Sequence, residues 1–129
     1  MPTFLLDTTV IIDAINGKRG RNQALISLAE AGHTLACCPV NIAEVCAGMR
    51  PKEEPRTLEL LRSLRMYATT FEVAELAGKL KRSYAQRGVT LAIPDVVIAA
   101  TAIHNGLTLI TDNAKDFPMP ELVLYVLPE

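Results

Sequence analysis

Acidic residues carry the first chemical signal in this sequence. Asp7 directly follows the apolar run Phe4-Leu5-Leu6, and Asp112 follows the run 107–110 by one residue, with Asp116 four residues further on. Asp95 stands behind Pro94, and Glu44 is the only charged residue between Pro39 and Ala47. Each has an ordinary explanation. Asp7 before two threonines can cap a helix, and Asp95 in a first helical turn is favoured by the helix dipole. Asp112 and Asp116 lie in the turn-prone run TDNAKD, and Glu44 can reach solvent. As a set they say more, because several carboxylates gathered in one cleft repel one another unless a cation joins them. The donors are all oxygens, with no His or Cys at ligand spacing, which favours Mg²⁺ or Mn²⁺ over zinc. A carboxylate-held Mg²⁺ that keeps several waters suits phosphodiester chemistry, with no Ser or Cys nucleophile required.

Thr9 and Thr111 fall near the same positions, where their hydroxyls could orient a carboxylate or a phosphate; each could equally be a β-branched residue at a strand end. Asn113 could act likewise or simply favour its turn. Lys18, Arg19 and Arg21 form one basic group, and Arg50, Lys52 and Arg56 another, both in loops after helices. Such a rim would hold a nucleic-acid backbone against an acidic centre. His33, His104 and the pair Cys37-Cys38 are read as structural, and Asp13 as a solvated residue.

The elements that must position these residues alternate. Residues 3–6, 34–38, 107–110 and 122–127 read as short apolar strands, and 67–70 is β-prone. Helical patterns cover 8–16, 21–31, 39–49, a Leu58-Leu61-Leu64 stretch, 71–87 and 94–105, several closed by glycine. RPKEEP, at 50–55, is a charged loop. Strands joined through helices imply an α/β fold with a mostly parallel sheet covered on both faces. Sites in such sheets form at the carboxyl ends of the strands, which is where Asp7, Asp112 and Asp116 fall.

The totals set the bounds. A chain of 129 residues fits a single domain, spanning 1–129. Three cysteines without CxxC spacing support neither a disulfide framework nor a zinc knuckle, and free thiols suit a reducing cytosol. No signal peptide or membrane-spanning run is expected. A formal net charge of −1 gives no global pull toward nucleic acid, so any such binding must be local.

The segments LLDTTVIID, NIAEV and IPDVVIAATAIHNGLTLITDNAKDF resemble the PIN-domain ribonucleases, specifically the VapC-type toxins of toxin–antitoxin pairs. The resemblance implies a three-layer α/β/α sandwich acting as a Mg²⁺-dependent endoribonuclease in the cytoplasm, with Mn²⁺ able to substitute. It also implies a homodimer, and a cognate antitoxin that inserts a segment into the cleft. By position Asp7, Glu44, Asp95 and Asp116 match the family's acidic quartet, Thr9 and Thr111 its hydroxyl positions, and Asn113 its last polar position. Asp112 is an extra acid where the family varies, expected as a further metal ligand ranked behind Asp116. Two other readings are a receiver-like domain phosphorylated on Asp7 and a PIN-like binding module without activity. The first would want paired acids near the first strand and a Lys directly behind a late strand, which Lys115 is not.

Overall fold

Phe4, Leu5 and Leu6 are consecutive and all buried, which a strand achieves only when both faces of its sheet are covered. The computed structural model, which describes residues 2–127, provides that cover. In chain order the elements are β1 (Thr3–Leu6), α1 (Thr8–Ile15), α2 (Arg21–Glu30), β2 (Thr34–Cys37), α3 (Pro39–Gly48), α4 (Glu54–Ser63), β3 (Arg65–Met66), α5 (Phe71–Gln86), α6 (Ile93–Asn105), β4 (Thr108–Thr111) and β5 (Val123–Val126). Two 3₁₀ turns, Pro51–Glu53 and Ala114–Asp116, complete the path. The strands form one parallel sheet in the order β3-β2-β1-β4-β5.

Side chains alternate across a strand, and the core divides accordingly. Leu5, Ala36 and Leu109 point into a cluster with Val73, Ala77 and Leu80 of α5 and Val96, Ala99 and Ala100 of α6. Phe4, Leu6, Cys37 and Ile110 point the other way, against Val10 and Ile11 of α1, Leu25 of α2, Val45 of α3 and Leu61 of α4. Helices thus cover both faces, giving the three-layer α/β/α sandwich expected from the alternating pattern.

Leu5 is fully buried in the central strand. Leu5→Ala is expected to cost about 2–5 kcal/mol, the range for deleting a buried leucine side chain from a packed core. Urea unfolding checks this, with the slope unchanged and the midpoint lowered.

The strand boundaries differ from expectation in instructive ways. The segment 67–70 is not a strand. The chain leaves α4 at Leu64 in extended conformation, so Arg65 and Met66 meet Ala36 and Cys37 of β2 first. Tyr67 adds one last hydrogen bond to the Cys37 carbonyl (2.9 Å), and Thr70 becomes the N-cap of α5, accepting from the Val73 N–H. β2 stops at Cys37 because Cys38 is the N-cap of α3, its N–H taken by Asn41 Oδ1 at 2.9 Å. β4 extends one residue past 110, which brings Thr111 into the ladder opposite Val126.

Candidate active site

β2 and β3 lie to one side of β1, β4 and β5 to the other, so the strand order reverses between β1 and β4. A crevice at the carboxyl ends of these two strands is where an open α/β sheet places a ligand. Asp7 is the first residue past β1, and its N–H continues the ladder to the Ile110 carbonyl (2.9 Å). Thr111 is the last residue of β4, adjacent to that carbonyl. The register therefore sets Asp7 and Thr111 face to face.

Asp7 is 6 % exposed and caps α1. Its Oδ1 accepts from the Thr8 N–H at 2.8 Å and its Oδ2 from the Thr111 hydroxyl at 2.8 Å. The Thr111 oxygen itself accepts from the Asn113 N–H (2.9 Å), which directs its single proton to Asp7. Burial pushes the Asp7 carboxyl above its ordinary value, the two donors pull it back, and the charges of Glu44 and Asp116 raise it further, with burial dominant.

Glu44 comes from the middle of α3. Its Oε1 accepts from the Thr8 hydroxyl at 2.7 Å. The Thr8 oxygen accepts from Asn41 Nδ2 (2.9 Å), and Asn41 Oδ1 faces the Cys38 N–H and thiol (2.9 and 3.3 Å). Asp95 lies in the first turn of α6, half-buried. Burial, then the charges of Asp7, Asp116 and Glu44, hold its carboxyl up at about 6. Asp116 ends the turn after β4, half-buried, and adds its charge to Asp7 and Asp95.

These side chains line one open cleft of about 410 Å³, bounded by Asp7, Thr8, Thr9, Ile12, Glu44, Asp95, Asn113 and Asp116. A roomier hollow of about 490 Å³ runs beside α2, β2 and α4, mostly apolar and holding none of the four acids. Size therefore does not locate the chemistry; the converging carboxylates do. Among the described residues, no three Asp, Glu, His or Cys side chains close around a point as a bare-ion cage. The oxygen-only donor set, with Asp7 and Asp95 both raised by burial and by neighbouring carboxylates, fits a hard cation such as Mg²⁺.

The structure thus brings together Asp7, Glu44, Asp95, Asp116, Thr9 and Asn113, with Thr111 behind Asp7 and Asn113 Nδ2 3.5 Å from the Thr9 hydroxyl. It separates two others. Asp112 is not on the cleft: its carboxylate is ion-paired to Arg21 at 2.6 Å, with the side chain 4 % exposed. The expectation of Asp112 as a metal ligand is corrected, because alternation along the extended chain turns it away from its neighbour Thr111. Arg21 is corrected with it, since a side chain 2 % exposed cannot serve as a rim. Lys18, Arg19, Arg50 and Lys52 are exposed, though none of them lines the cleft. Arg50 is fastened to Glu53 within its own loop (3.0 Å), and Arg19 lies 3.6 Å from Asp112.

Thr8 and Asn41 were missed by sequence reasoning. The signal existed in part: Asn41 and Glu44 are three apart on one helix, so they share a face. Nothing in the sequence places Thr8 against that face.

By class this is a parallel three-layer α/β/α sandwich with an acidic cleft at its switch point. The chain belongs to the PIN-domain family, whose model matches residues 4–118. It is 35% identical over 118 residues to Ribonuclease VapC10 of Mycobacterium tuberculosis, covering 92% of this chain and 88% of that protein. It is 30% identical to Ribonuclease VapC19 of the same organism, over 92% and 95% of the two chains. Among solved structures it superposes on a chain of VapBC2 from Rickettsia felis bound to a DNA fragment from their promoter, with a TM-score of 0.82, 26% identity and coverage of 98% and 99%. A toxin–antitoxin complex from Klebsiella pneumoniae matches with a TM-score of 0.78 at 32% identity, over 97% and 100% of the chains. Membership in this family sets the receiver-like reading aside.

Proposed function

We propose that this protein is a Mg²⁺-dependent endoribonuclease, the toxin of a VapBC-type toxin–antitoxin pair. The observation that carries the reading is the convergence of Asp7, Glu44, Asp95 and Asp116 on one cleft at the ends of β1 and β4. Those four carboxylates would hold the cation, with Mn²⁺ as a substitute. When bound, such a cation offsets the phosphodiester charge and lowers the pKa of an attacking water.

The remaining work falls to the chain. Thr8 and Thr111, their protons directed by Asn41 and the Asn113 N–H, present hydroxyl donors to Glu44 and Asp7 and leave the other lone pairs for the cleft. Without a cation the cleft is acidic and repels an RNA backbone, so the four carboxylates also make substrate binding conditional on the metal. Exposed Lys18 and Lys52 would supply positive charge outside the cleft lining, with Arg19 and Arg50 already paired to acids, and contacts from them to phosphates would be weakened by salt.

Likeness to Ribonuclease VapC10 over nearly the whole of both chains supports RNA as substrate. The toxin–antitoxin complex from Klebsiella pneumoniae supports a cognate antitoxin as partner. The homodimer that the family resemblance implies is part of the same reading. Among the described residues no helix is long and apolar enough to cross a membrane.

The test is cleavage of RNA with Mg²⁺, with and without EDTA. Cleavage that persists unchanged in EDTA overturns the reading. A second result is expected from Asp95, whose carboxyl stands near 6. Below that pH it holds a proton that an incoming cation must displace, so Mn²⁺ affinity should climb as pH rises through 6. Calorimetry on either side of that value, in buffers of different ionisation enthalpy, measures both the affinity and the released proton.

A further inference from the structure

Arg21 is the largest fully buried side chain among the described residues, 1 % exposed at the first position of α2. Burying a guanidinium is costly unless a partner is held in good geometry. Asp112 meets that demand in a two-pronged pairing, Nε to Oδ2 at 3.2 Å and Nη2 to Oδ1 at 2.6 Å, while Nη1 donates to the Arg19 carbonyl at 3.1 Å. The approach to the pair is bent. Gly17, Arg19 and Gly20 all have left-handed backbone, with Arg19 at φ 58° the one non-glycine residue with positive φ among the described residues. A strained arginine persists only where its surroundings over-determine it. Its own guanidinium bridges Asp112 (3.6 Å) and Asp13 (4.0 Å).

The place of Asp112 gives the pair its meaning. On one side stands Thr111, whose hydroxyl bonds Asp7; on the other Asn113, whose N–H bonds that same hydroxyl. The turn to Asp116 begins directly after. Residues 111–116 carry one wall of the acidic cleft; Asn113 reaches the Thr9 hydroxyl at 3.5 Å and Phe117 is buried just beyond, while the buried ionic anchor of the wall is Asp112 gripping Arg21, 91 residues away.

We propose that the Arg21–Asp112 pair is a positioning clamp for the catalytic cleft, holding residues 111–116 so that the Thr111 hydroxyl stays on Asp7 and Asp116 stays in the site. The proposal rests on the nuclease reading for its kinetic consequence, though not for its structural one. The variants are Arg21→Gln, Asp112→Asn and the double substitution, made in the full chain. In Mg²⁺-dependent RNA cleavage each single variant should lower kcat roughly ten-fold or more per folded molecule, as small misplacements of reacting groups do, with KM little changed. The double variant should lose no more than the worse single one, since both residues act as a unit. Independent of activity, amide hydrogen exchange at Asn113 and Asp116 should speed up in Asp112→Asn while exchange in α5 does not. Arg21→Lys, which keeps the charge but loses the fork, should fall between wild type and Arg21→Gln. Unchanged exchange across 111–116, or kcat losses that match only the unfolded fraction, would overturn the clamp. Wild-type protein that cleaves no RNA, with exchange at 111–116 still sensitive to Asp112→Asn, would overturn the nuclease reading and leave the clamp standing.

Discussion

Asp95→Asn is expected to abolish RNA cleavage, by about 10³-fold or more, while the protein stays folded and becomes no less stable. The loss follows from what Asp95 contributes. Its carboxyl closes the α6 side of a cleft in which Asp7, Glu44 and Asp116 come from other elements, so no neighbour can take its place. In the proposed reaction an amide would not supply the negative charge needed to hold a divalent cation in front of a phosphodiester. The stability forecast follows from the same environment with opposite sign. Burial and three neighbouring carboxylates raise Asp95 from 3.8 to about 6 in the folded chain. Between those values the native state binds more protons than the unfolded chain, so this contribution to stability falls as pH rises from 3.8 through 6. Asp95 is only half-buried, so solvent screens the effect and its size is modest. In the cation-free protein the wild type should lose stability across that window and Asp95→Asn should lose less. Urea unfolding in EDTA at several pH values reads this directly. A variant that cleaves RNA at the wild-type rate would remove Asp95 from the chemistry; one that is much less stable near neutral pH would show that Asp95 is structural.

Much of this site was legible in the sequence because strand ends are set locally. A short apolar run closed by a polar residue locates the place where core meets solvent, and Asp7 stands at such a place. Pro94 fixes a helix start and puts Asp95 in its first turn, and the apolar surroundings of Glu44 mark it as a side chain in need of a partner. What stayed hidden are choices made at a distance. Asp112 and Asp116 are equally acidic and four residues apart, and direction alone separates them: one faces Arg21, the other the cleft. Charge in a loop reads as a solvated rim, and no local pattern tells that Arg21 is buried. The segment 67–70 has stronger β preference than Arg65–Met66, yet pairing went to the residues that first met β2, tertiary contact overriding propensity. Thr8 reads as an ordinary residue opening a helix until α3 is packed against it.

Asn41→Ala is the change expected to do most damage from outside the acidic set. Asn41 is fully buried, and its amide is fixed in orientation by what it faces. The Cys38 N–H can only donate, so Oδ1 must point there and Nδ2 must point to Thr8. With that lone pair taken, the Thr8 hydroxyl has one proton to place, and the group within reach is Glu44 Oε1 at 2.7 Å. The relay therefore does two things at once: it caps the first turn of α3 and sets the direction from which Glu44 is held. Truncation to alanine leaves the Cys38 N–H, a buried donor, without its acceptor, a loss of about 1–3 kcal/mol. It also frees the Thr8 hydroxyl to rotate, so Glu44 loses a fixed donor and with it a defined orientation in the cleft. Loss of a partner that orients a metal-type ligand typically costs about 10–100-fold in affinity or activity, and cleavage per folded molecule should fall by that order. Thr8→Val separates the cap from the relay, since it keeps the Asn41 bond to Cys38 and removes the Thr8 hydroxyl, both the proton delivered to Glu44 and the acceptor used by Asn41 Nδ2. Both variants should lose cleavage and weaken Mn²⁺ binding, whereas only Asn41→Ala should strip the cap from α3, seen as faster amide exchange at Cys38. If Asn41→Ala lowered stability but cleaved RNA at the wild-type rate per folded molecule, the network would be a helix cap alone and Glu44 would be oriented by something else.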